Sequence, residues 1–283
     1  MAALPAEVPT LAILAGGGAA PKQLAAACRR AGRRFFLVGL EGHADPDIVN
    51  EGPHAWIPLG ALGQLKELVR REGLTEAVLI GRVRRPSLSE LKPDGVALRV
   101  LLKMGLMGLG DDGFLRGVSR ALEEECGVRI LGAHEVFGDL LMPEGPLTDR
   151  MPNAESQADI RRGMEVAEAL GRLDVGQAVV VQQGLVLGVE ALEGTDALLA
   201  RAATLRREGP GGVVVKCAKP GQDNRFDLPT VGPLTLRGAA AAGLQGVALE
   251  AGRGLLLERE VTLRIARETG LFLIGVQRMS LTA

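Results

Sequence analysis

Short apolar runs alternate with amphipathic stretches through the first 130 positions, and that alternation restricts the fold more than any single motif does. Leu11–Ala15 is a strand-like run that meets Gly16, Gly17 and Gly18. Pro21 to Ala31 then reads as a helix with proline in its first turn. Arg34–Val38 and Ala77–Ile80 are further strands, each closed by a glycine, with a short apolar piece at His54–Pro58 and a helix from Gly63 to Glu72 between them. Helical stretches follow at about Leu98–Met107 and Phe114–Glu125, then a strand at Arg129–Leu131. Strands separated by helices of about 10–15 residues predict βαβ units and a parallel sheet. Such sheets bind ligands outside the carboxyl ends of their strands. Here those ends are marked by Gly16–Gly18, Gly39, Gly81 and the His134–Glu135 region.

The pattern changes at Leu141–Pro152, where Pro143, Pro146 and Pro152 predict a linker or an ordered crossing segment. The expected organisation is therefore a Rossmann-like parallel-sheet domain over 1–135, a linker over 136–152 and a distinct α/β domain over 153–283. In the second half, Ser156–Leu170 reads as an amphipathic helix. Ala178–Gln182 and Leu185–Val189 read as a hairpin turned by Gln183-Gly184. Helices are expected at Asp196–Arg207, Leu236–Gly243 and Val261–Glu268, and extended pieces at Gly212–Lys216, Gly246–Leu249, Leu255–Leu257 and Phe272–Gly275.

Composition removes several functional classes. With 47% apolar residues and a formal net charge of -1, the chain is neither disordered nor a global polycation for nucleic acid. Aromatics are 2%, too few for stacking single-stranded bases. The cysteines Cys28, Cys126 and Cys217 are odd in number and widely spaced, which points to a reducing cytoplasm rather than a disulfide framework. The N-terminal apolar patch has no basic region before it, so no signal peptide is expected. Val96 to Gly110, the nearest candidate for a membrane span, carries Arg99 and Lys103. Val96–Leu109 reads instead as a buried helix or subunit contact, with a wall for an acyl chain as the sharper alternative.

The densest chemistry lies at Lys219–Gly232, KPGQDNRFDLPTVG, where Lys219, Gln222, Asp223, Asn224, Arg225 and Asp227 crowd a loop flanked by glycine and proline. Two carboxylates four residues apart suit Mg²⁺ bound together with a phosphate. Lys219 and Arg225 suit phosphate oxygens, arginine as a bidentate fork. A solvated turn accounts for the same composition without function. In VLGVEALEGTD, Glu190 ends a β-like run, Thr195 can cap a helix and Asp196 can sit in its first turn. The alternative is an acidic strand-end site using Glu193 or Asp196. AGGGAAPKQ joins a strand to a helix, so Gly16, Gly17 and Gly18 can approach a phosphate, although GxGxxG fails at Pro21. GRVRRPSL sets Arg82, Arg84 and Arg85 near the same sheet edge. Asp111 and Asp112 are adequately explained as helix caps. His43, His54 and His134 form no metal or nucleophile pattern.

AGGGAAP, GRVRRPSL, GDDGFLRGV, LDVGQAVVVQQGLVLGVEALEGTD and KPGQDNRFDLPTVG occur in the order found in one bacterial family. From Leu11 to Val276 the chain resembles the UDP-2,3-diacylglucosamine pyrophosphatases of lipid A biosynthesis, of the α-proteobacterial type. The resemblance implies Mg²⁺-dependent hydrolysis of that lipid to UMP and 2,3-diacylglucosamine 1-phosphate, with water attacking the phosphorus nearer the sugar. It also implies two domains with substrate between them, and action at the cytoplasmic side of the inner membrane. On that reading Asp223 and Asp227 are the leading metal ligands or water activators, with Glu193 and Asp196 next. Lys219 and Arg225 neutralise the phosphates, Gln222, Asn224, Thr195 and Arg82 bind substrate, and Gly16–Gly18 lie close to the nucleotide. The expected partners are the UDP-linked diacylated lipid and, transiently, the inner-membrane surface; a homodimer is expected from base rates alone. The competing readings are a nicotinamide-dependent oxidoreductase and a non-enzymatic nucleotide- or lipid-binding module.

Overall fold

A computed structural model describes residues 8–83, 91, 93–104, 111–136, 138–221, 225 and 228–278. The chain divides into two compact units, Met1–Gly138 and Asp139–Ala283.

The first unit holds a parallel sheet of β1 (Leu11–Ala15), β2 (Phe35–Leu40), β3 (His54–Ile57), β4 (Glu76–Ile80) and β5 (Arg129–Ile130), in the order β3-β2-β1-β4-β5. Its helices are α1 (Ala20–Arg30), the short α2 (Pro46–Val49), α3 (Leu62–Glu72), α4 (Gly95–Met104), α5 (Asp111–Ala121) and the short α6 (Ala133–Val136). The Rossmann-like expectation is met. β1 is buried at every residue because it is the central strand, covered on both faces. Chain order reverses between β1 and β4, which makes that crevice the topological switch point. One difference concerns α5, which passes into a π-helical turn at Leu122–Cys126 ended by the left-handed Gly127.

The second unit is a mixed sheet in the order β6-β13-β11-β9-β7-β8. Its strands are β6 (Gly145–Pro146), β7 (Ala178–Gln182), β8 (Leu185–Val189), β9 (Val213–Lys216), β11 (Gly246–Glu250) and β13 (Phe272–Val276); β10 (Thr230–Val231) and β12 (Leu255–Leu256) form a separate parallel pair. β9, β11 and β13 are parallel, while β7 runs against β9 and β8 against β7. The stretch expected as a linker supplies β6, which pairs antiparallel with β13, and the boundary between units falls at Gly138–Asp139.

Two cores explain the valine-rich runs, because neighbouring side chains on a strand face opposite sides. Val180, Val214, Val247, Leu249 and Leu273 pack in one cluster with α8 (Gly194–Thr204), α9 (Pro233–Ala241) and α10 (Arg259–Thr269). Val179, Val181, Val213, Val215 and Phe272 pack in the other, against α7 (Ala154–Arg172). Helices therefore pack on both faces of the central strands.

Candidate functional site

At the switch point of the first unit the glycines serve close backbone approach. Gly16 donates its N–H to Ile80 O at 2.9 Å, and Gly17 exchanges hydrogen bonds with Arg82 in both directions, at 2.9 and 2.8 Å. A Cβ on Gly16 would lie 2.6 Å from Arg82 O, so only glycine lets the β1 and β4 exits meet there. The amides of Gly16 and Gly17 are therefore hydrogen-bonded to protein carbonyls. Gly18 has a positive φ of 88° and leads into α1, whose N-cap Ala19 makes no side-chain cap. Arg82 is exposed at this edge. Arg84 and Arg85 lie outside the described residues, as do the side chains of Asp111 and Asp112.

In the second unit the carboxyl ends of β8, β9 and β11 and the lead-in to β7 share one edge of the sheet. A buried polar network occupies it. Lys216, the last residue of β9, is 5% exposed and donates to Thr195 Oγ1 at 2.8 Å and to Thr230 O at 3.0 Å. The Thr195 hydroxyl in turn donates to Glu190 Oε1 at 2.5 Å. Glu190, just after β8 and 7% exposed, accepts from Gln177 N at 3.2 Å. Thr195 thus bridges a buried ammonium and a buried carboxylate; Glu193, not Thr195, holds the N-cap position of α8.

A second cluster stands at the ends of β11 and β13. Glu250, 1% exposed, accepts from Ala218 N at 2.8 Å. Arg278 Nη2 lies 3.2 Å and Arg253 Nη1 3.5 Å from its two oxygens, and Arg278 also donates to Ala218 O. Glu250 therefore fixes the backbone that leads into the KPGQD loop. Burial, then the charge of Glu250, pushes the Cys217 thiol up to about 12, so it is protonated and inert at neutral pH.

Lys219 follows directly. It is 8% exposed, and its ammonium lies 2.7 Å from Asp174 Oδ1. A Cβ on Gly171 would sit 2.7 Å from Pro220 Cδ and 3.1 Å from Lys219 Cα, so the bare glycine at the end of α7 lets the loop start against the helix. Arg225 is half-buried. Gln222, Asp223, Asn224 and Asp227 lie outside the described residues.

Of the remaining acidic residues proposed from sequence, Asp196 lies in the first turn of α8, where it suits the helix dipole. Glu193 is engaged elsewhere: Oε1 pairs with Arg201 at 2.7 Å and Oε2 accepts from Ala191 N at 3.2 Å. Backbone N–H bonding and then Arg201 hold its carboxyl below the usual range. Among the described residues no group of three His, Cys, Asp or Glu side chains is placed to hold a metal ion.

Sequence reading singled out Lys219, Arg225 and Thr195 but missed Lys216, Glu250, Arg253, Arg278 and Asp174. A usable signal existed for two of them: VVVK and VALE each end an apolar strand run on a charge.

Comparison with known proteins assigns both units. Residues 10–140 match the LpxI N-terminal domain, and residues 143–274 match the LpxI C-terminal domain. The chain is 44% identical over 273 residues to the UDP-2,3-diacylglucosamine pyrophosphatase LpxI of Caulobacter vibrioides, covering 94% of this chain and 97% of that protein. Among solved structures, the CobK precorrin-6A reductase aligns over 98% of this chain and 90% of its own, at 14% identity and a TM-score of 0.33, too distant for fold or function to be carried over.

Proposed function

This chain belongs to the LpxI family, and from that premise we propose that it hydrolyses the pyrophosphate of UDP-2,3-diacylglucosamine to UMP and 2,3-diacylglucosamine 1-phosphate. The carrying observation is the identity to a named pyrophosphatase of this kind over nearly the full length of both chains. That match sets aside the nicotinamide and non-enzymatic readings.

The reaction adds water to one phosphorus and breaks its bond to the bridging oxygen. Attack on the phosphorus nearer the sugar leaves that oxygen on UMP, and the attacking water loses a proton. Two demands follow: cations must face the diphosphate, and a base must face the water. Lys219, held by Asp174, and Arg225 answer the first. Asp227 answers the second, with Asp223 beside it in the same loop. Gln222 and Asn224 orient the phosphates, and Arg82 and the Gly16–Gly18 turn belong to the nucleotide end of the substrate. Lys216, Thr195 and Glu190 are positioning residues, because their polar atoms are committed to one another and to Thr230 O.

Mg²⁺, when bound, would neutralise diphosphate charge and acidify water. Glu190 and Glu250 are already committed to protein donors, and Glu193 to Arg201. The Mg²⁺ proposal therefore rests on Asp223 and Asp227. We place the enzyme at the cytoplasmic surface of the inner membrane, where a diacylated substrate resides; among the described residues no helix is long and apolar enough to cross a membrane.

The test is hydrolysis of the purified lipid in ¹⁸O-water. Label in the sugar phosphate is expected. Label in UMP would overturn the site of attack, and absence of UMP would overturn the activity.

A further inference from the structure

The helix expected to be buried has an open face of unusual composition. α4 (Gly95–Met104) is GVALRVLLKM and carries no acidic residue. Its inward side is fixed by Ala97, 7% exposed, while Leu98 and Leu102 are 47% and 76% exposed. Arg99 and Lys103 are exposed as well. Leu98 and Leu102 stand four positions apart, as do Arg99 and Lys103, so a leucine row and a cation row lie side by side on the exposed side of the helix. The helix is well anchored: Asp94 Oδ1 accepts from Val96 N at 3.0 Å and Ala97 N at 2.9 Å, and its Oδ2 accepts from Gly63 N at 2.7 Å at the start of α3. Beside it runs a groove of about 760 Å³ whose lining includes Trp56, Glu67, Arg71, Asp94, Val96 and Arg99.

We propose that this face of α4 is the docking surface for an anionic lipid bilayer. Leucines beside basic residues on one exposed helical face match such an interface: the apolar side chains enter the acyl boundary while the cations meet lipid phosphates. Charge complementarity commits the face to an anionic membrane rather than a neutral one. In the neighbouring groove Arg71 and Arg99 are offset by Glu67 and Asp94, so the cationic character belongs to the exposed side of α4 itself, where Arg99 and Lys103 stand on a helix without an acidic residue. The inference deepens the membrane-surface role proposed above by naming the element that carries it, and it is independent of the residues assigned to hydrolysis.

The test is sedimentation with vesicles of phosphatidylethanolamine containing 30% phosphatidylglycerol, against phosphatidylcholine vesicles, with no substrate present. The wild-type chain is expected to bind the anionic vesicles and to lose that binding as salt rises. Arg99→Gln/Lys103→Gln should lower partitioning about 25-fold, at about fivefold per basic side chain near an anionic surface. Leu98→Glu/Leu102→Glu should lower it at least about tenfold. Circular dichroism checks folding; should the glutamate pair disturb it, Leu102→Ala at this open position supplies the milder variant, with a reduction of at least about threefold expected. Turnover of detergent-dispersed substrate should stay at the wild-type level in the glutamine pair, which separates this proposal from the hydrolytic one. Equal binding to both vesicle types, no binding by the wild type, or variants that bind like the wild type would overturn it. So would leucine variants that only convert a dimer to a monomer.

Discussion

Replacing Lys216 by methionine tests whether the strand-end network holds the second unit together. The substitution keeps an unbranched chain in the core and removes an ammonium that is 5% exposed. It deletes hydrogen bonds to Thr195 Oγ1 and Thr230 O. Hydrogen bonds from a charged group are worth about 1.5–3 kcal/mol each, so the gross loss is about 3–6 kcal/mol. Methionine no longer carries the desolvation cost of a buried charge, which returns part of that sum. It also leaves Glu190 buried without the cation two bonds away through Thr195. The net expectation is a loss of about 3 kcal/mol, or a fall in Tm of about 6–12 °C for a unit of this size. Thr195→Val removes the shared hydroxyl with nearly constant volume and should cost about 1–3 kcal/mol. Because both changes cut the same relay, the double variant should be less destabilised than the sum by about 1–2 kcal/mol. Trp56 belongs to the first unit, so its fluorescence is the wrong probe. Far-UV circular dichroism with urea, checked by amide exchange over Val213–Lys216, reads the correct unit. Additivity within about 0.5 kcal/mol, or a Tm change under about 2 °C for Lys216→Met, would refute the reasoning.

Four further outcomes follow. Asp227→Ala should abolish turnover at saturating Mg²⁺ while substrate binding, followed by calorimetry, is largely kept; near wild-type turnover would remove Asp227 from the mechanism. Chelation with EDTA should suppress UMP release and added Mg²⁺ should restore it, and full activity in EDTA would exclude a required metal. Gly171→Ala would push a methyl group against Pro220 and the Lys219 backbone, costing about 1–3 kcal/mol of packing strain and displacing Lys219. It should therefore depress kcat more than Gly163→Ala, which meets Val215 away from the loop; equal effects would deny the loop contact its role. Burial raises the Cys28 and Cys126 thiols to about 11 and Cys217 to about 12 from 9.0. Unfolded chains then release these protons at lower pH than folded ones, so the contribution is whole below pH 9 and is lost as pH rises toward 11–12. The urea midpoint should fall across that window, and a Cys217→Ser variant should show a shallower fall.

Where local chemistry alone decides conformation, the sequence is readable. β1 and the helix after it are marked by an apolar run, glycines and a first-turn proline, and Pro21 sits in the first turn of α1. The β7–β8 hairpin is marked by Gln183-Gly184, whose φ values of 54° and 75° are the left-handed pair that such a tight turn demands. What fixes that turn was not readable: Asp159 in α7 accepts from the amides of both residues, a contact made across 24 and 25 positions of chain. β6 failed for the same kind of reason. Gly145–Pro146 has no strand propensity and becomes a strand only because β13 offers it an edge, with Leu147 N bonded to Leu273 O nearby. The run from Val96 onward misled in the opposite direction, since apolar composition without clear periodicity predicts burial while Leu102 stands open.

The site divides along a similar line. Lys219, Arg225 and Thr195 were visible because polar residues crowded by glycine and proline are conspicuous. Lys216 and Glu250 were absorbed into strand assignments, although their positions carry information of a stronger kind. A charge that directly ends a central apolar strand cannot escape to solvent along the sheet; it must either open an edge or be met by a partner. In VVVK the partner is a threonine hydroxyl and a carbonyl, and in VALE it is an amide with two arginines. Each buried charge here holds backbone at one end of the same segment. Glu250 fixes Ala218 one residue before Lys219, and Lys216 fixes Thr230 just beyond Leu228-Pro229. The two ends of the segment from Lys219 to Thr230 are thus pinned by buried charges, while its interior carries the carboxylates proposed for chemistry. On the proposed function, that division of labour gives a reason for burying charge at a cost in stability: a segment proposed to present Asp223 and Asp227 to substrate is best fixed at both ends by groups that cannot exchange their partners for water.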